Sequence, residues 1–286
     1  MKKTIENARF GEERALYASE NLILKNVSFD GEEDGESALK ECRNVELENG
    51  FCNLRYPFWH DRGLIIRNTE MTPLCRAALW YSKKILIENS KMFGIKALRE
   101  CGSVTIRDSQ IRSPEFGWSV GGIVMENVEA ESEYFMMRAR NLEFKNVALK
   151  GKYSFQYIRN ADFENCSFDT KDAFWHAKNV VAKNSFVKGE YLGWYSENLT
   201  LIGCTITGTQ PLCYCKNLKL VDCKMIETDL CFEKSETEAS ITTPVLSIKN
   251  PYRGTIYAPE VGEIIRDDER STGKIVLLPS EKKAVC

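Results

Sequence analysis

In this chain of 286 residues, the arrangement that most resembles a reaction centre is Tyr157 with Arg138 nineteen residues before it and His176 nineteen after. A tyrosyl oxygen can accept a proton, a guanidinium can neutralise a neighbouring carboxylate, and an imidazole can return a proton, which together suit β-elimination at a uronate. Beside these three, the same spacing relates Tyr134, Tyr153, Asp172 and Tyr191, and extends the first series to Tyr195 and Tyr214. Aromatic faces with a few polar groups suit a sugar or another flat ligand, and they suit a protein partner equally well. Three readings stay open: a ligand site, a face for self-association, and a tyrosine-rich sheet surface.

Other chemistries find less support. Glycoside hydrolysis needs two carboxyl groups about 5 to 9.5 Å apart. The nearest candidates, Glu143 and Asp162, fall among alternating surface charges, and Asp229 and Glu233 would be about 13 Å apart on one strand. His60 and His176 are the only histidines, and at six repeats apart, about 29 Å, they cannot share a metal or a triad. No phosphate-binding loop, HExxH or zinc-spaced cysteine pair is present, so the sequence calls for no metal and no cofactor. Cys213 and Cys215, like Cys204 and Cys223, fit buried thiols in columns. Cys286, at the last position, is the thiol expected to be exposed and reactive. The acidic stretch from Asp30 to Ser37 reads as a solvated loop.

Composition narrows the setting. With 39 basic and 41 acidic side chains and 43% hydrophobic residues, the chain has ordinary globular composition and no electrostatic reason to bind nucleic acid or an anionic membrane. Thr4 to Glu20 contains no apolar run of five residues, so neither a signal peptide nor a membrane span is expected. Eleven cysteines, an odd number scattered singly, point to reduced thiols and a cytoplasmic location.

What positions the candidate residues is a repeat. The pattern apolar-x-apolar-x-Asn-x-x-apolar recurs with anchors at Asn7, Asn26, Asn49, Asn68, Asn89, Asp108, Asn127, Asn146, Asn165, Asn184, Gly203 and Asp222, at spacings of 19, 23, 19, 21 and then 19 throughout. The two longer intervals are insertions at Asp30 to Ser37 and near Thr72-Pro73. Apolar alternation before each anchor marks a half-buried strand, and its return at constant spacing stacks equivalent strands in parallel. The residue before the anchor reads Glu6, Lys25, Glu48, Arg67, Glu88, Arg107, Glu126, Lys145, Glu164, Lys183. Such perfect sign alternation is what an in-register stack about 4.8 Å per layer would favour. A second asparagine column, including Asn21, Asn44, Asn160, Asn179, Asn198 and Asn217, lies five before the anchors. Amides in these columns can donate to one layer and accept from another. Parity then places the five tryptophans, Trp59, Trp80, Trp118, Trp175 and Trp194, inside. It places the tyrosine columns, with Phe155 and Phe174 between them, outside.

The stacked turns, asparagine ladders and aromatic interior resemble the pectin-lyase-like right-handed parallel β-helices. The 19-residue coils together with the tail from Ala258 to Asp268 resemble more narrowly the bacterial family catalogued as domain of unknown function 3737. The wider resemblance implies a right-handed coil and spans lyases, epimerases and inert adhesins, and the narrower one implies no established activity. The expected fold is therefore all-β: one single-stranded right-handed parallel β-helix of about twelve 19-residue coils, with coils over 1–235 and a degenerate rung plus capping strands over 236–286. The expected function is carbohydrate binding or modification through the Tyr/Arg/His/Asp strip, with a lyase or isomerase favoured over a hydrolase. The alternative is a non-catalytic interaction module, its partner a second copy of the chain.

Overall fold

The computed structural model describes residues 2–31 and 35–278, so Cys286 and part of the acidic insertion lie outside the described residues. The chain forms two compact units, Met1–Ser154 and Phe155–Cys286. The fold is an all-β, right-handed parallel β-solenoid whose coils recur about every 19 residues over about a dozen or more turns, the hand that parallel crossovers adopt almost without exception. No helix occurs among the described residues, and so none is long and apolar enough to cross a membrane.

In the first unit the strands Glu20–Lys25, Arg43–Glu48, Arg62–Arg67, Lys83–Glu88 and Gly102–Arg107 pair in parallel, each with the next. Register puts Leu24 opposite Leu47, Leu47 opposite Ile66, and Ile87 opposite Ile106. All five side chains are buried, each fully buried one contributing about 1.5–3 kcal/mol relative to an exposed site. The charge column falls as its alternation requires: Glu88 lies 2.9 Å from Arg67 and 3.6 Å from Arg107, which in turn lies 3.6 Å from Glu126.

The anchors explain themselves at the corner that follows each strand. Asn26, Asn49, Asn68, Asn89 and Asp108 all have φ between 46° and 53°, a left-handed conformation that asparagine and aspartate tolerate better than other side chains. Asn49 Nδ2 donates to Asn26 Oδ1 at 3.1 Å, and Asn146 Nδ2 to Asn127 Oδ1 at 3.0 Å. The next position holds a hydroxyl row. Thr69 Oγ1 accepts the Gly50 N–H at 3.1 Å, and Ser90 Oγ accepts the Thr69 N–H at 3.1 Å, so donors that the turning backbone takes out of the sheet are satisfied inside.

The second unit repeats this plan with Arg159–Glu164, Lys178–Lys183, Glu197–Ile202 and Leu218–Ile226. Phe163, Ala182, Leu201 and Leu220 face one another in register, and the outer asparagines bond Asn179 to Asn160, Asn198 to Asn179 and Asn217 to Asn198 at 2.7–3.0 Å. The tail does more than close the stack. Glu236–Ile241, Arg253–Ala258 and Lys274–Leu277 continue pairing in parallel, and Val245–Lys249 pairs with Val261–Ile265. Between these rungs the chain from Arg266 to Gly273 leaves the sheet as a loop.

Candidate functional site: an aromatic column and the groove at its end

The site lies where each coil turns back toward its next strand, and there strand parity fails. Phe155, Tyr157, Asp172, Phe174, His176, Tyr195, Leu212 and Tyr214 all have φ between 53° and 64°. Left-handed residues two apart redirect successive side chains, so the alternation of an extended strand does not apply. Three expectations change for this reason. Phe155 and Phe174, expected outside, are fully buried and pack with Phe163 and Phe168 at ring separations of 4.8–6.3 Å. Asp172, expected outside, is only 6% exposed, and burial raises its carboxyl above the ordinary carboxylate range. The five tryptophans, expected inside, are half-buried. Four of them donate their indole N–H to a main-chain carbonyl of the following coil: Trp59 to Ala77, Trp80 to Lys96, Trp118 to Tyr134 and Trp194 to Gln210.

The column predicted from spacing does form in the second unit. Tyr157 stacks on His176 at 5.1 Å and 6°, His176 on Tyr195 at 4.9 Å and 11°, and Tyr195 on Tyr214 at 4.8 Å and 13°. Tyr157 and Tyr195 are 45% and 43% exposed, and Tyr191 flanks the row by packing against Trp194 at 5.0 Å. Stacking at this separation covers ring faces and leaves edges to solvent, so His176 and Tyr195 offer hydroxyl and N–H groups but no open face. Within the stack a sugar can meet an aromatic face only at a terminal ring, Tyr157 or Tyr214.

The stack stops at Tyr214. The equivalent left-handed position one coil on is Lys234, at φ 54°, and no ring follows. There the fold opens a groove of about 460 Å³ that Tyr195 and Tyr214 share with Lys216, Lys234, Tyr252 and Arg270, a size that suits a small ligand. The Tyr214 hydroxyl lies 3.4 Å from Glu233 Oε2. Burial, and then the Glu233 charge, push its pKa up. The opposite wall is the Arg266–Gly273 loop, held in shape by Arg266, whose guanidinium donates to the carbonyls of Ser271 at 3.0 Å and Gly273 at 2.7 Å, and by Ser271 Oγ donating to the Pro251 carbonyl at 2.8 Å. Arg270 grips Asp268 through two bonds of 3.0 and 2.9 Å and holds its carboxyl down at about 2.

Tyr134 and Tyr153 meet at 5.0 Å in the first unit, where Arg138 is also placed, exposed. Tyr157 and His176, the other members of the elimination set, are brought together in the second. Glu143 and Asp162 are exposed, one in each unit. His60 stacks on Tyr81 at 4.9 Å. Tyr252, Lys234 and Arg270 were not legible from spacing, because the 19-residue register lapses after Met225. The ten described cysteines are all buried and unbridged. Among the described residues no group of three or more His, Cys, Asp or Glu side chains is placed to hold a metal ion.

Residues 3–277 match a sequence family described as a protein of unknown function, DUF3737. The chain belongs to the DUF3737 family. No curated protein matches its sequence. Among solved structures it is similar to the A-module of the mannuronan C-5 epimerase AlgE6 of Azotobacter vinelandii, with 12% identity, 98% of this chain and 92% of that chain covered, and a TM-score of 0.39. It is similar also to PfbA, a surface adhesin of Streptococcus pneumoniae, with 9% identity, 90% and 71% covered, and a TM-score of 0.37. A third is the GH136 lacto-N-biosidase of Eubacterium ramulus, with 8% identity, 93% and 62% covered, and a TM-score of 0.34. At such identity no activity passes from these proteins to the DUF3737 chain.

Proposed function

We propose that this DUF3737 protein binds a carbohydrate in the groove at the end of its tyrosine column. One observation carries the reading: a four-membered ring stack ends at Tyr214 on a groove walled by a pinned loop, which brings tyrosine rings together with hydroxyls and charged groups around one small hollow. Aromatic surface supplies much of the contact energy in such sites, and fixed polar groups set orientation. On this reading the protein works in the cytoplasm, where its buried thiols stay reduced. Calorimetric titration of the whole protein with mono- and disaccharides tests it. Tyr214→Ala is expected to weaken binding by about tenfold, the order of one aromatic contact, with the melting temperature nearly unchanged. An equal affinity for variant and native protein would refute the site.

A second reading rests on the exposed edges of Tyr157 and Tyr195, which suit a protein partner, including a second copy of the chain. Sedimentation across a range of concentrations decides it, since substituting Tyr157 and Tyr195 by serine would then lower the oligomeric state and leave sugar binding intact.

A further inference from the structure

Resting on the reading of the groove as a sugar site, we infer that Asn250 is its positioning residue, a buried amide that sets where Asp268 and Arg270 stand beside Tyr214. The ladder asparagines are exposed and bond to one another. Asn250 shares their left-handed backbone, at φ 43°. It is nevertheless 2% exposed, the one buried asparagine among the described residues, and its amide turns to the Arg266–Gly273 loop instead. Oδ1 accepts the N–H of Asp267 at 3.0 Å and that of Asp268 at 3.3 Å, while Nδ2 donates to Asp267 Oδ1. Main-chain N–H groups need an acceptor and an ionised carboxylate needs a donor, so these partners fix which way the amide points.

The two legs of the loop are held differently. Its return leg is tied by Arg266, by Ser271 and by Thr272, whose N–H and hydroxyl donate to the Tyr252 carbonyl at 3.1 and 2.8 Å. The outgoing leg carries Asp268, and Asn250 ties it to the rungs. Among the described residues no other side chain outside the loop bonds to Asp267 or Asp268. Asp268 in turn accepts from the Arg270 main chain at 3.0 Å and from its guanidinium, so the guanidinium goes where the Asp268 backbone is put. Asn250 is itself fixed from both sides. Its N–H donates to the Ile265 carbonyl at 3.0 Å, and its carbonyl accepts at 2.9 Å from Lys234, the residue at which the ring stack gives way to the groove. One amide thereby registers the polar wall of the groove against its tyrosines. Hydrogen bonds to a sugar tolerate little change in distance or angle, so a displaced wall loses affinity even where the lining residues are unchanged. Without the amide, two main-chain N–H groups lose their acceptor and the outgoing leg loses its tie.

The test is calorimetric titration of the whole protein with maltose, lactose and N-acetylglucosamine at pH 5 and pH 8, with melting temperatures measured alongside. Asn250→Ala removes the amide and is expected to weaken binding at least about tenfold at both pH values, the scale of an unsatisfied polar group. Asn250→Asp keeps the shape and the acceptor but sets a second carboxyl against Asp267. Two carboxyls so close hold a proton between them at low pH, and that O–H donates as the amide N–H does; at high pH both ionise and repel. Its binding is therefore expected within about twofold of native at pH 5 and at least about tenfold weaker at pH 8, while native binding changes less than about twofold. The other charges around the pair, Glu233, Lys234, Asp268, Glu269 and Arg270, are present in both proteins, so the difference in profile belongs to the pair. Asn198→Asp, in the outer ladder, controls for lost stability and is expected to bind as the native protein does. Asn250→Asp binding that is equal at the two pH values, or that Asn198→Asp reproduces, overturns the positioning role and leaves the groove as a sugar site. Native-like binding by Asn250→Ala does the same. A native protein that binds none of the three sugars overturns the sugar site itself, and the role of Asn250 with it.

Discussion

Each unit builds an aromatic row at the turn that precedes the next strand, and the two rows differ in a way that separates architecture from recognition. In the first unit Trp59 and Trp80 stack at 5.1 Å and 3°. The Arg99 guanidinium then sits between Trp80 and Trp118 at 5.0 and 5.5 Å from their rings. Those three indole N–H groups are spent on main-chain carbonyls, and a cation completes the pile. In the second unit the tryptophan row is reduced to Trp175 and Trp194, and the row one residue further along the chain, on the left-handed position, grows from the His60–Tyr81 pair of the first unit to Tyr157, His176, Tyr195 and Tyr214 with their edges outward. Neighbouring positions on the same kind of turn thus carry a half-buried spine and an accessible row, and the longer of the two is the spine in the first unit and the accessible row, which ends in a groove, in the second.

Two aspartates sharpen the contrast. Asp268 of the second unit is half-buried at the groove and stays ionised, whereas Asp61 of the first, next to His60, is 3% exposed. Asp61 accepts the Cys42 N–H through Oδ1 at 2.7 Å, and its Oδ2 has no hydrogen-bond partner among the described residues. Burial pushes its carboxyl up to about 8. A carboxyl whose folded pKa lies above its unfolded value binds more protons in the folded state, so stability falls as pH rises from about 4 to about 8. The largest expected effect follows: the native protein loses about 4 kcal/mol of unfolding free energy between pH 5 and pH 8. Asp61→Asn removes that slope while groove binding stays unchanged. Chemical denaturation at both pH values measures it, and parallel losses in the two proteins would show that Asp61 is not the cause.

Trp80→Ala comes next. It opens the stack between Trp59 and Arg99 and is expected to cost about 3 kcal/mol of stability, again without effect on the groove. Tyr214→Ala reverses the pattern, with about tenfold weaker sugar binding, close to 1.4 kcal/mol, and little loss of stability. Smallest is Arg99→Met, which keeps the aliphatic stem and removes the charge between two indoles, at about 1 kcal/mol. If Trp80→Ala weakened sugar binding as much as Tyr214→Ala does, the division of labour between the two rows would fail.

The stack was legible because its determinants are local and repeated. Asparagine suits the left-handed corner, alternation suits a half-buried strand, and alternating charge suits an in-register layer. The columns containing Tyr157 and Tyr195 were legible on the same grounds. What misled was the treatment of the returning turn as a strand: left-handed φ values at Phe174 and His176 turn Phe174 inward and, with the turn at Asp172, bury that carboxyl too. No residue type announces such a φ when it is phenylalanine, histidine or tyrosine. The groove was beyond reach for a different reason. Tyr252 and Arg270 come from a stretch where coil length varies, so register no longer predicts neighbours, and only the folded chain places them beside Tyr214.

Hydrogen–deuterium exchange of the whole protein, with and without a saturating neutral disaccharide, tests the central claim most directly, because it reads both rows in one experiment. The account predicts slowed exchange around Leu212 to Lys216, Tyr252 and the Arg266 to Gly273 loop, and none around Trp59 or Trp80. Protection centred on the tryptophan row, or none anywhere at saturation, would contradict it.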